Sequence, residues 1–153
     1  MNSIIFFPGY KTPVKRYISY FPGFKLCEVT NYNYNCGDSS VLTHSIGLVN
    51  ALIYFSQQNI KPKHIVAMDP PHLSNDSMLR KIKGGDKSLA EIYQRFIDSD
   101  INMKDWNITI YRNINKKNDK DNDKYSEIIY YNEDTHYPYQ IRNVRNSIVA
   151  KLT

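Results

Sequence analysis

Leu42-Thr43-His44-Ser45-Ile46-Gly47 decides how this chain is read. A short apolar run ends in a serine, glycine stands two residues later, and an apolar helical pattern follows. A serine nucleophile is mounted this way, at the tip of a strand-to-helix turn where a strained backbone pushes the hydroxyl off the sheet. The glycine keeps a side chain from crowding the tight turn. The same serine also has a plain reading, as a helix N-cap whose oxygen accepts from the first free N–H groups. A candidate base stands far away, in Thr135-His136-Tyr137-Pro138.

Outward from that stretch, strand and helix patterns alternate. Residues 4–7, 24–29, 41–43, 64–68, 108–111 and 127–131 read as strands. They are apolar, rich in β-formers and bounded by turn signals such as Pro8-Gly9 and Pro22-Gly23. Helices are expected over 14–20, 46–57, 88–97 and 141–152. The second is apolar on nearly every side, as suits the interior of a layered domain. Residues 72–87 read as a long polar connection partly covering a pocket, and 31–38 as irregular. The pattern predicts an α/β fold, a three-layer α/β/α sandwich around a mostly parallel sheet of about six strands, in one domain spanning 1–153. Chemistry in such sheets sits just past the carboxyl ends of the strands. That selects Pro8-Gly9-Tyr10, Ser45, Asp69, the loop after Tyr111, and His136.

Composition narrows the function classes. The chain has 153 residues, 41% of them hydrophobic and 23% charged, enough for a proper core. The formal net charge is +5, but the lysines are scattered, so a solvated surface is expected and a nucleic-acid partner is not. The dense run 116–124 alternates in sign and reads as an exposed flexible loop. It lacks the glycine and closing glutamate of a calcium loop. Cys27 and Cys36 make no secreted disulfide framework and are expected to be reduced. The run from Met1 to Pro8 lacks a basic region and is too short for a signal peptide, and no stretch has the length of a membrane span. These features lead to the expectation of a cytoplasmic protein. They leave its oligomeric state open.

The strand-end positions supply the parts of an acyl-transfer site. Ser45 is the nucleophile and needs a base within hydrogen-bond reach. His136 is that base. The oxyanion of a tetrahedral intermediate needs two preorganised N–H groups, assigned to Ile46 and to Tyr10. The acid that orients the histidine is either Asp69, after the strand beside the elbow, or Asp119 or Asp123 in the charged run. Asp69 before two prolines also has a plain reading, as a turn residue bonded to its own backbone. His44 is a core or pocket-wall residue, and His72 a possible site lining.

Three segments together resemble the α/β-hydrolase family, in a reduced form without its first strands. Ile5-Phe6-Phe7-Pro8-Gly9-Tyr10 is similar to the family's strand and oxyanion turn, with Pro8 where histidine is common. Thr43-His44-Ser45-Ile46-Gly47 resembles its nucleophile elbow, with Thr43 in place of the first glycine. His136-Tyr137-Pro138-Tyr139 resembles the segment carrying its histidine. The resemblance implies a small serine hydrolase that cleaves an ester or thioester of a small-molecule acyl substrate, with no metal or cofactor. Its alternative is a hydrolase-shaped protein that has lost catalysis and binds a partner. The chain has no room for a large lid, so a shallow acyl pocket is expected. The polar connection between the second strand and the elbow strand is barely long enough for a helical crossover.

Overall fold

The computed structural model describes residues 2–29 and 40–153. Cys36 and the segment 31–38 lie outside the described residues, as does most of the crossover into the elbow strand. Six strands form one all-parallel sheet: β1 (Asn2–Phe7), β2 (Phe24–Glu28), β3 (Ser40–His44), β4 (His64–Met68), β5 (Ile108–Asn113) and β6 (Glu127–Tyr131). Their spatial order is β2-β1-β3-β4-β5-β6. Every strand of the sequence reading is present, within one or two residues at each end.

The period of two in each strand explains why both faces of the sheet are covered. Ile5, Phe7, Val41, Ile65, Ala67, Ile108 and Ile110 point into one core. Ile4, Phe6, Leu42, Val66, Met68 and Tyr111 point into the other. The first core is closed by α2 (Gly47–Gln57), α3 (Asn75–Gly84) and α4 (Lys87–Asp98). The second is closed by α1 (Lys15–Ile18) and α5 (Arg142–Leu152). Helix α2 packs on β1, β3 and α4 and buries Leu48, Val49, Leu52 and Phe55 completely. Each such side chain is worth about 1.5–3 kcal/mol of transfer free energy.

Two expectations need correction. The connection 72–87 is more than a polar stretch, because it holds α3, a helix the sequence reading did not include. Ser74 caps that helix by accepting from the Ser77 N–H at 3.3 Å, and Met78 anchors it in the core. The run 116–124 is not a free loop either. It folds into tight turns at Ile114–Lys116 and Asp119–Asp121, and Asp121 is only 2% exposed.

The strand order also fixes where a ligand fits. From β1 the chain moves outward to β2, then returns past β1 to β3 and runs the other way. The helix after β1 lies on one face and the helix after β3 on the other. A crevice opens at such a reversal, outside the carboxyl ends of the two strands. Tyr10 and Ser45 stand there. Among the described residues, no helix is long and apolar enough to cross a membrane.

Candidate functional site

Two neighbouring strands end in the same unusual way. The Ser45 N–H donates to the Met68 carbonyl at 2.9 Å, extending the β3–β4 ladder by one residue. The Asp69 N–H donates to the Tyr111 carbonyl at 2.8 Å and extends the β4–β5 ladder likewise. Both residues then turn sharply, with φ of 56° at Ser45 and 44° at Asp69. Non-glycine residues reach that left-handed region at a cost of about 1–2 kcal/mol. The N-cap of α2 falls on Ile46 with no side-chain cap, so Ser45 is not the capping residue. Gly47 is required by its neighbour more than by the turn itself. A Cβ there would lie 2.1 Å from the carbonyl oxygen of Phe7, where the end of β1 passes under the start of α2.

Asp69 faces His136. Its Oδ2 lies 2.5 Å from His136 Nδ1, across a long sequence separation. A carboxylate only accepts, so Nδ1 carries the donated proton and the other ring nitrogen, Nε2, is free to take one. Asp69 is 3% exposed and His136 40%. Burial works to raise the Asp69 pKa. The hydrogen bond from His136 and the charges of His136, Lys116 and Arg112 outweigh it and hold the carboxyl below its usual value. Among the described residues no hydrogen bond joins the Asp69 carboxylate to its own turn; its carboxylate is turned to His136 instead. The structure brings neither Asp119 nor Asp123 to His136. Both are exposed, because Asp121 between them takes the buried position of the run.

That burial has a partner. Arg112, on β5 and 1% exposed, reaches both Asp121 oxygens, at 3.1 Å from Nε and 3.2 Å from Nη2. Its Nη1 donates to the Pro70 carbonyl and lies 3.9 Å from Asp69 Oδ1. One buried guanidinium thus ties the turn after β4 to the turns after β5. Lys116 Nζ approaches the same Asp69 at 3.8 Å.

A second line of hydrogen bonds runs beneath the site from the first loop to the last. The Gly9 N–H donates to the Tyr17 hydroxyl at 3.1 Å. Tyr17 lies 2.8 Å from His44 Nδ1, and His44 Nε2 lies 2.8 Å from the backbone carbonyl of His136. A carbonyl only accepts, so Nε2 of His44 carries a proton. Because burial depresses its basicity, His44 is neutral near pH 7, and its unprotonated Nδ1 accepts from the Tyr17 hydroxyl. Burial, with a smaller push from His136, lowers its pKa to about 4. His44 occupies the core position expected of it, and it sets the height of the His136 loop.

Ser45, Ile46, Tyr10, Asp69, His72 and His136 all line one cavity of about 780 Å³. Among the described residues no hydrogen bond joins Ser45 to His136. In an unliganded site that contact is commonly long and tightens when substrate binds. The backbone N–H groups of Tyr10 and Ile46 have no acceptor among the described residues. The helical hairpin of α3 and α4 supplies one wall of the cavity. Gly84, Gly85, Leu89 and Tyr93 belong to it. The arrangement offers a hydroxyl at a strained strand end, a carboxylate-oriented imidazole and two unspent N–H groups around one cavity.

Sequence reasoning did not find Arg112, Asp121, Tyr17 or Lys81. For the first two, an arginine inside an otherwise apolar strand and an acid in the following turn were the available signal. No protein-family model matches this sequence, and no match was found among curated proteins.

Proposed function

We propose that this protein is a small serine hydrolase of the α/β-hydrolase type, cleaving a carboxylic ester or thioester through an acyl-enzyme. The observation that carries the reading is the buried Asp69 carboxylate 2.5 Å from His136 Nδ1, in the cavity that Ser45 also lines with a φ of 56°. Ser45 attacks the carbonyl carbon while its proton passes to His136 Nε2. The tetrahedral oxyanion lies against the Tyr10 and Ile46 N–H groups. Its collapse breaks the bond to the leaving alcohol or thiol, which takes the proton from Nε2. Water then repeats the sequence on the acyl-serine and restores the hydroxyl. Asp69 holds the imidazole in the required tautomer and stabilises its cation.

The test is direct. The wild-type protein should hydrolyse a p-nitrophenyl ester and take up one equivalent of a fluorophosphonate probe, and Ser45→Ala should lose both. Labelling that survives the substitution overturns the assignment. A folded wild-type chain that neither turns over ester nor takes up probe points instead to a hydrolase-shaped binding protein.

A further inference from the structure

The lining of the cavity carries more cations than carboxylates. Arg80, Lys81, Arg112 and Lys116 line the cavity, and among the described residues Asp69 is the only carboxylate that does. Arg112 is committed to Asp121 and Lys116 approaches Asp69. Lys81 is different. No carboxylate lies within salt-bridge distance of it among the described residues, although it is half-buried in the last turn of α3. Its Nζ donates to the Tyr93 hydroxyl at 3.2 Å and stands 5.1 Å from that ring's centroid. An ammonium keeps two further N–H donors after that bond. Tyr93 accepts from Lys81 and still has its own proton to give. Burial pushes the Tyr93 pKa up to about 12, so it stays a phenol. Burial, then the charges of Arg112 and Lys116, lowers the Lys81 pKa, as an uncompensated cation requires. Asp86, at the start of α4, is exposed and occupied by the Tyr10 hydroxyl at 3.0 Å and the Ser88 N–H at 2.7 Å.

The close fit of the hairpin holds this wall in place. Gly85 turns the chain from α3 into α4 so closely that a Cβ there would lie 2.5 Å from the Lys81 carbonyl oxygen. Lys81 and Tyr93 therefore face the cavity from two helices clamped at their junction. An ammonium left without a carboxylate in a partly desolvated cavity is costly unless something else neutralises it.

We infer that Lys81 and Tyr93 form an anion subsite, and that the ester cleaved at Ser45 carries a carboxylate or phosphate group away from the scissile bond. The position of the ester rests on the serine-hydrolase reading, but the binding of the anion does not. Bound there, the anion accepts from the Lys81 ammonium and the Tyr93 hydroxyl, and charge-assisted bonds of this kind are the strong ones.

Two measurements test it. The first compares the p-nitrophenyl monoester of adipic acid with p-nitrophenyl hexanoate, of equal chain length, and 4-carboxyphenyl hexanoate with phenyl hexanoate. Wild-type protein should favour the charged member of one pair. Which pair it is tells whether the anion belongs to the acyl or the leaving group. Lys81→Met should cut that kcat/KM ratio by about tenfold, and Lys81→Arg should retain most of it. The second is calorimetric titration of Ser45→Ala protein with monomethyl adipate and with butyl phosphate, which separates carboxylate from phosphate. Adding Lys81→Met should weaken at least one of them by a similar factor. Loss in either measurement supports the subsite, and the second does so even for a protein without esterase activity. Ratios and affinities untouched by Lys81→Met overturn it, and they do so even where hydrolysis by Ser45 stands.

Discussion

The two left-handed residues at the ends of β3 and β4 do related work. Each lets a strand finish its ladder and then throws a short polar side chain above the sheet. Asp69 is the sharper case, because its carboxylate is buried and its second oxygen is committed to His136. Asp69→Asn keeps the shape but offers an amide that can donate where only an acceptor fits, which turns the imidazole to the wrong tautomer. On the acyl-transfer reading, kcat for ester hydrolysis should fall by about 10⁴-fold with the fold retained by circular dichroism. A variant that retains near-wild-type kcat removes Asp69 from the chemistry. The elbow was legible in the sequence because its requirement is local: a serine, a glycine two residues on, and apolar runs to either side. The reason for Gly47 was not legible, since it lies in the carbonyl of Phe7 on another strand.

At the scale of elements, the ends of β4 and β5 are locked by Arg112. Its guanidinium satisfies Asp121, the Pro70 carbonyl and part of the field around Asp69. Removing one partner of a buried pair leaves the other charged and unpaired, which costs about 3–5 kcal/mol. Arg112→Met should lower the urea midpoint accordingly, while Arg112→Met combined with Asp121→Leu should recover part of the loss. Equal destabilisation by the single and double variants shows that the pair is not what Arg112 contributes. The sequence hid this arrangement because the charges of 116–124 alternate, and nothing local marks Asp121 as the one that turns inward. Helix α3 was hidden for a related reason. Its exposed face is dominated by Asn, Asp, Arg and Lys, and its core contact rests mainly on Met78. The periodic strands and the apolar α2 were legible because their burial is written into every second or every third to fourth residue.

At the scale of the whole molecule, the neutral His44 links stability to pH. Its folded pKa of about 4 lies below the unfolded value of 6.5, so between them the unfolded chain binds more protons. Its contribution is complete above pH 6.5 and is lost as pH falls toward 4, by up to about 3 kcal/mol. The depressed Asp69 acts in a separate window, below its ordinary value of 3.8. Urea titrations at about pH 7 and about pH 4.5 should show a wild-type loss of stability that is much smaller in His44→Gln, the remainder including His64, whose pKa burial also lowers. Parallel losses in the two proteins would mean that His44 is not the titrating group. The line from Gly9 through Tyr17 and His44 to the His136 carbonyl also joins an early loop to a late one. A ribosome releases Ser45 ninety-one residues before it releases His136, so on the acyl-transfer reading the hydroxyl of the nascent chain waits without its base until the His136 loop has emerged.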